Sequence, residues 1–133
     1  MATVAQRFII VFNGEIYNYR TLRKELERKG YQFRSKSDTE VLLHLYEQKG
    51  PSMAHDLRGM YAFALWDGEN KGLLMARDPF SIKPLYYSDN GHTLRAAAQV
   101  KALIKGGCID SALAPAGHVG SFCGDMSRNP IHC

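Results

Sequence analysis

The chain of 133 residues has little cysteine, and its three cysteines, Cys108, Cys123 and Cys133, all lie in the last quarter. An odd number of cysteines cannot pair completely within one chain, so we expect reduced thiols rather than a disulfide framework. The sequence also lacks a basic N-terminal region leading into an apolar run, and it lacks an apolar run of membrane-spanning length. We therefore expect no signal peptide, no membrane helix and a cytoplasmic location.

Clusters of one charge are also missing. The 17 Lys and Arg residues outnumber the 13 Asp and Glu residues, but the two signs are interspersed along the chain. A nucleic-acid footprint needs cations gathered on one face, so nucleic-acid binding is not expected. With 45% hydrophobic and 23% charged residues, the composition is that of one globular domain with a modest core.

The first third of the chain has the pattern of a strand followed by helices. Arg7–Phe12 is a β-branched and aromatic run, which predicts a strand that ends at Asn13-Gly14. Apolar residues at helical spacing then predict an amphipathic helix over Tyr19–Lys29, and Gly30 supplies the residue that ends it.

A second helix and a hairpin are predicted next. Ser37 followed three residues later by Glu40 is a capping-box signature, and Gly50-Pro51 closes the helix. Met60–Trp66 and Gly72–Ala76 are apolar runs separated by turn residues, which is typical of a buried hairpin.

The remaining chain predicts two further strands and a short helix. Leu85–Tyr87 and Thr93–Leu94 indicate the strands, and Val100–Lys105 the helix. The predicted order of elements is a strand, two helices, a four-strand meander and a helical end. This order predicts a layered α+β domain. We expect it to span residues 1–120, with residues 121–133 as an irregular tail.

The Asn13-Gly14 pair has two interpretations from the residues alone. It is a good hairpin turn between apolar segments. The alternative is that the Asn13 amide and the Gly14 N–H act as two donors to an oxygen that becomes negative during acyl transfer. The pattern does not decide between them.

Five segments resemble successive motifs of the glutamine-binding domain of asparagine synthetase-type class II amidotransferases. In chain order they are Phe12–Tyr19, Lys36–Val41, Leu57–Asp67, Ala76–Tyr87 and Val100–Leu103. They follow the family's order at matching spacings. The resemblance implies the N-terminal-nucleophile fold, an αββα sandwich of antiparallel sheets between helical layers, here expected to be incomplete.

The resemblance also implies roles for four residues. Asn13 and the N–H of Gly14 would form the oxyanion hole for glutamine hydrolysis, and Glu15 would help hold the substrate amide. Asp38 would accept a charge-assisted hydrogen bond from the α-ammonium group of glutamine. A structural alternative for Asp38 is a first-turn acid favoured by the helix dipole. Glutamine or a related small amide is the implied partner, with no cofactor and no metal.

The departures from the family concern the reaction itself. The family's nucleophile is an N-terminal cysteine whose α-amine acts as base, whereas removal of Met1 here would expose Ala2. The arginine that clamps the substrate carboxylate and the ATP-using synthetase domain also have no counterpart. We therefore expect neither glutaminase activity nor asparagine synthesis from this chain alone. Smaller departures are Ser81 in place of Gly and Ala96–Gln99 in place of Phe-Ala-Ser-Glu.

Two alternatives stay open beside this interpretation. One is a stand-alone small-amide-binding or protein-interaction module, and the other is an active glutaminase whose Met-Cys-Gly start lies upstream. Loss of the family's leading strands would expose sheet edges, so we also expect a homodimer that covers them.

Three other groups of residues have both a structural and a functional interpretation. The His and Cys residues near the end lack the paired spacings of a zinc site; they are Cys108, His118, Cys123, His132 and Cys133. The strand aromatics are expected in the core rather than on a base-stacking surface; they are Tyr61, Phe63, Trp66, Tyr86 and Tyr87. Arg77 and Asp78 are either an exposed pair or, as the resemblance implies, part of a structural loop.

Overall fold

The structure, a computed structural model, describes residues 7–89 and 91–106. Its elements in chain order are β1 (Phe8–Ile16), α1 (Tyr19–Arg28), α2 (Asp38–Lys49), a 3₁₀ helix (Gly50–Asp56), β2 (Gly59–Asp67), β3 (Gly72–Arg77), β4 (Tyr86–Asp89), β5 (Leu94–Ala97) and α3 (Val100–Lys105). β1, β2 and β3 form an antiparallel sheet in that order, and β4 pairs with β5 in a second sheet. The predicted α+β class is confirmed. In this part of the chain no helix is long and apolar enough to cross a membrane.

The first strand is longer than the sequence predicted, and the hairpin interpretation of Asn13-Gly14 is wrong. β1 continues through both residues to Ile16 and pairs with β2 in one unbroken register. The local turn signal is overridden by pairing with a strand that lies more than forty residues further along the chain.

Close packing between β1 and β2 explains the glycine. Gly14 has φ +139° and lies opposite Tyr61. A Cβ atom at Gly14 would collide with the carbonyl oxygen of Met60 and would lie 2.7 Å from the Cα of Tyr61. Gly59 is equally constrained, because a Cβ atom there would collide with the carbonyl oxygen of Glu15. The two glycines let the strand backbones approach closely at the end of the ladder.

The core lies between one face of the three-stranded sheet and helices α1 and α2. Side chains alternate along β1, so Phe8 and Ile10 are buried on this face while Ile9 and Val11 lie exposed on the other. The helices complete the core with buried aliphatic residues, which are Leu22, Leu26, Val41, Leu42, Leu43 and Leu45.

The predicted bounds of both helices are confirmed within one or two residues, but Glu40 does not form the predicted capping box. Ser37 caps α2, because its hydroxyl accepts a hydrogen bond from the Thr39 N–H at 3.0 Å. The Glu40 carboxylate does not accept a hydrogen bond from the Ser37 N–H, as it would in a capping box. Its carboxylate instead accepts bonds from the N–H groups of Arg34 and Ser35, which turns the loop before α2 back onto the helix.

The strands after α2 do not form one four-strand meander, which corrects that prediction. The hairpin of β2 and β3 joins β1, and the hairpin of β4 and β5 forms its own sheet. Between them lies the loop 79–85, in which Pro79 and Pro84 have no N–H to donate to a ladder. The buried carboxylate of Asp78 binds three N–H groups of this loop, from Phe80, Ile82 and Lys83.

The aromatic residues divide between the two sheets. Tyr61 and Phe63 are buried as expected, with ring centroids 5.9 Å apart. Tyr86 and Tyr87 are exposed, so the prediction that they belong to the core is wrong for these two. The β4–β5 hairpin is only two strands wide, and its tyrosines are not covered by the core of the larger sheet.

Candidate functional site

The ladder between β1 and β2 leaves the N–H of Gly14 pointing away from β2. Bonds at the two ends of the pairing run from the Gly68 N–H to the Arg7 carbonyl at 2.8 Å and from the Tyr17 N–H to the Arg58 carbonyl at 2.7 Å. Because hydrogen-bonded and non-hydrogen-bonded pairs alternate, the odd-numbered residues of β1 exchange bonds with β2. The even-numbered residues, Gly14 among them, direct their N–H groups toward the opposite side of the strand.

Asp38 lies on this same side of β1. Its Oδ2 atom accepts a hydrogen bond from the Ile16 N–H at 3.2 Å, which joins the start of α2 to the end of β1. Ile16 lies two residues beyond Gly14, so their N–H groups are about 6.7 Å apart along the strand. The structure therefore brings together Gly14 and Asp38, two residues that the sequence placed in one site.

Asn13 and Glu15 lie on the sheet face opposite the helices. Both side chains are exposed, and the alternation of β1 places them on the same face as Ile9 and Val11. Within residues 7–89 and 91–106, the Asn13 amide makes no hydrogen bond to another side chain. The amide is therefore an available donor beside the Gly14 N–H. These four positions form the candidate site: Asn13, Gly14, Glu15 and Asp38.

The end of β1 is also held by a residue that the sequence interpretation missed. The Nδ2 atom of Asn18 donates to the Asp56 carbonyl at 2.8 Å, and its Oδ1 atom accepts from the Arg58 N–H at 3.0 Å. The Tyr17 N–H binds the Arg58 carbonyl beside it. Asn18 thus ties the exit of β1 to the entry of β2. The signal in the sequence was an Asn directly before a helix, a position that normally suggests only a cap.

Glu40 is the second missed residue and the most strongly bonded acid near Asp38. Burial tends to raise the pKa of the Glu40 carboxyl, but hydrogen bonds from Arg34 and Ser35 outweigh burial, and the pKa is lowered. The carboxylate is therefore ionised at neutral pH. An acid in the first turn of α2, directly before the apolar run Val41–Leu43, was the available sequence signal.

The loop of Arg77 and Asp78 has a structural role, as the resemblance implied, and the exposed-pair alternative is wrong. Asp78 is 2% exposed. Burial tends to raise its pKa, but hydrogen bonds from backbone N–H groups, including that of Tyr61, outweigh burial and lower it. Arg77 donates to the carbonyls of Lys83 and Ser81, both at 2.8 Å. Because Tyr61 lies opposite Gly14, this loop supports the strand beside the candidate site.

The described residues contain no group of three or more His, Cys, Asp and Glu side chains that could hold a metal ion. The cysteines and histidines weighed as zinc ligands, which are Cys108, His118, Cys123, His132 and Cys133, lie outside the described residues. The predicted boundary at residue 120 and the tail 121–133 lie outside them as well, and both stay predictions.

Comparison with protein families finds a match to the glutamine amidotransferase domain over residues 1–130. Asparagine synthetase [glutamine-hydrolyzing] 1 of Bacillus subtilis (strain 168) is 50% identical over 99 residues, which are 74% of this chain and 16% of that protein. Asparagine synthetase B [glutamine-hydrolyzing] of Escherichia coli (strain K12) is 47% identical over 98 residues, which are 72% of this chain and 17% of that protein. The chain thus spans about one sixth of the length of these relatives.

Solved structures agree with this match. Glutamine phosphoribosylpyrophosphate (PRPP) amidotransferase from B. subtilis, complexed with ADP and GMP, superposes with a TM-score of 0.63 and 27% identity, over 73% of this chain and 23% of that one. The allosteric regulatory enzyme of purine biosynthesis gives a TM-score of 0.63 and 28% identity, over 73% and 22%. The fold described above is therefore one found in amidotransferases.

Proposed function

Given that the chain belongs to the glutamine amidotransferase domain family, we propose that this polypeptide binds glutamine at β1 without hydrolysing it. Asp38 accepts the α-ammonium group. The Gly14 N–H and the Asn13 amide donate to the oxygen of the side-chain carboxamide, and Glu15 lies beside that amide. The family's type, class II with asparagine synthetases as relatives, supports glutamine as the ligand.

The observation that supports this proposal is that Asp38 and the Gly14 N–H lie on the same side of β1. Asp38 is bonded to Ile16, and the Gly14 N–H lies about 6.7 Å along the same side. In glutamine, four bonds separate the α-nitrogen from the carboxamide carbon, a span of roughly 5 Å. A glutamine molecule lying along β1 can therefore reach Asp38 with its ammonium group and the Gly14 N–H with its carboxamide oxygen.

The strength of binding follows from these contacts. A charge-assisted bond to Asp38 contributes about 1.5–3 kcal/mol, and two neutral bonds add about 1 kcal/mol each. The sum corresponds to a dissociation constant on the order of 1 mM.

The proposed lack of hydrolysis rests on the nucleophile. Acyl transfer from glutamine needs an activated thiol or hydroxyl group, and the 133 residues contain no cysteine before Cys108. Asn13 and Gly14 would supply donors to the oxygen of a tetrahedral intermediate, but not the attacking group. We therefore assign it binding and not turnover.

The test is a titration of the polypeptide with L-glutamine, monitored by calorimetry, with ammonia release measured on the same samples. We expect binding in the millimolar range and no ammonia above the buffer blank. The Asp38→Asn variant should lose glutamine binding, whereas Asp89→Asn, which changes an exposed carboxylate in β4, should not. Ammonia release by the polypeptide would refute the assignment of binding alone.

The alternative of an active glutaminase is tested on a variant. Addition of a Met-Cys-Gly start in a leading segment taken from a relative supplies both the thiol and its α-amine. Ammonia release by that variant, together with none from the original polypeptide, would support the active-glutaminase alternative. If the variant releases no ammonia, the result would count against an arrangement of Asn13 and Gly14 that supports catalysis.

We further propose a homodimer in the cytoplasm, in which a second copy covers the part of the sheet face opposite the helices that carries Ile9 and Val11 and leaves Asn13 and Glu15 open to glutamine. The support is the exposure of Val11, at 74%, and of Ile9 on that face. Light scattering should show a dimer at high micromolar concentration, and Val11→Lys should shift it to monomer. A monomer at the same concentration without substitution would contradict the proposal.

A further inference from the structure

Glu40 is a buried acid that the proposed glutamine site does not itself use. Only 6% of the residue is exposed. Oε1 accepts from the Arg34 N–H at 2.8 Å, while Oε2 accepts from the Ser35 N–H at 2.7 Å and from the Ser35 hydroxyl at 2.6 Å. An acid this deeply buried is stable only when several donors satisfy it. These three hydrogen bonds all come from two residues of the loop before α2, while His44 Nε2 lies 3.9 Å from Oε1.

These bonds continue toward Asp38 through two serines. The Ser35 hydroxyl, which donates to Glu40, accepts a bond from the Ser37 N–H at 3.2 Å. The Ser37 hydroxyl in turn accepts from the Thr39 N–H at 3.0 Å. Asp38 lies between these last two residues, so its backbone is held on both sides by bonds that lead back to Glu40.

A second contact holds the same loop from α1. Arg23 donates from Nη1 to the Ser35 carbonyl at 2.6 Å, and its guanidinium lies 4.3 Å from the centre of the Phe33 ring. Glu27 pairs with Arg23 at 2.8 Å and keeps the guanidinium in place. The N–H and the hydroxyl of Ser35 therefore bind Glu40 while its carbonyl binds Arg23. The loop has little freedom to move relative to α2.

We infer that Glu40 is a positioning residue, which fixes the carboxylate of Asp38 at the distance from Gly14 that a glutamine molecule requires. The inference rests on the proposed glutamine site. Its physical basis is that the Asp38 carboxylate has two long contacts, from the Ile16 N–H at 3.2 Å and from the hydroxyl of its neighbour Thr39 at 3.5 Å. Contacts of this length hold the carboxylate loosely, so its position depends on the backbone that carries it, which the bonded loop fixes.

The test compares two probes, L-glutamine and glutaramate, which has the same carboxamide and carboxylate but no α-ammonium group. The original chain should bind glutamine more tightly than glutaramate by about tenfold, equivalent to about 1.4 kcal/mol. Glu40→Gln replaces one acceptor oxygen by an NH₂ group that faces donors. It should reduce the preference toward onefold while leaving the dissociation constant of glutaramate unchanged. Glu25→Gln, which changes an exposed acid of α1, is the control and should keep the full preference.

Ser35→Ala provides a milder variant if Glu40→Gln does not fold. It removes the hydroxyl link but keeps both backbone bonds to Glu40, so the preference should fall by less than in Glu40→Gln. A variant that weakens both probes equally, or that retains the full preference, would overturn the positioning role while the glutamine site stands. Absence of any preference in the original chain would instead overturn the site itself, and the inference with it.

Discussion

Replacement of Gly14 by alanine tests the close approach of the first two strands. The added Cβ would meet the Met60 carbonyl oxygen and would lie 2.7 Å from the Cα of Tyr61, both of which are backbone atoms that cannot rotate away. The backbone at φ +139° is also unfavourable for any residue with a Cβ. Strain of this kind costs about 1–3 kcal/mol, and overpacking costs about 1–3 kcal/mol more.

The free energy of unfolding should therefore fall by about 2–6 kcal/mol. A domain of this kind is stable by only about 5–15 kcal/mol, so this is a large part of its stability. Urea denaturation followed by tryptophan fluorescence measures it, since the single tryptophan lies in β2. Gly72→Ala is the matched control, because a Cβ there has no atom within 4 Å and should change stability by less than about 0.5 kcal/mol. Equal denaturation midpoints for Gly14→Ala and the original chain would refute the steric account.

Three further outcomes follow from the loops and the buried acids. Ser81→Gly should stabilise the chain by up to about 1 kcal/mol, because Ser81 has φ +56° and glycine carries no penalty there; a lower melting temperature would contradict this. Asp78→Asn should cost about 2–4 kcal/mol at neutral pH, because an amide cannot accept at both oxygen positions; unchanged stability would contradict it. The fold lowers the pKa of three buried carboxyl groups, those of Glu40, Asp67 and Asp78. Their contribution to folding stability is therefore complete above the ordinary carboxyl pKa of about 4, and it is lost as the pH falls through their lower pKa values in the folded chain. Urea midpoints should therefore fall steeply below pH 4, and less steeply in Asp78→Asn.

The helices and hairpins could be predicted because their signals are local. Ser37 caps α2 through an atom two residues away, and Gly30 with φ +95° ends α1 through its own backbone. Apolar runs at period two likewise lie within single strands. Such features need no knowledge of distant contacts.

The features that the sequence did not reveal depend on contacts between distant segments. Asn13-Gly14 has the composition of a turn, and only the pairing with β2 and the constraint at Gly59 make it the middle of a strand. Glu40 matched a capping box, but its partners depend on the path of the loop between α1 and α2. β4 and β5 form their own sheet after a loop that the Asp78 carboxylate binds, an arrangement that no local pattern indicates.

The candidate site was recognised mainly from the resemblance rather than from the residues alone. The structure adds that Asp38 contacts the end of β1 and that the Gly14 N–H points to the same side. The roles of all four residues, Asn13, Gly14, Glu15 and Asp38, stay predictions, because their contacts with a ligand are proposed.

The most direct measurement is an amide chemical-shift titration of the polypeptide with L-glutamine, with ammonia measured in the same tube. We predict saturable shifts of the Gly14 and Ile16 N–H signals with a dissociation constant on the order of 1 mM, their loss in Asp38→Asn, and no ammonia. Shifts confined to other parts of the chain, or ammonia produced in step with added glutamine, would contradict a binding site without turnover at β1.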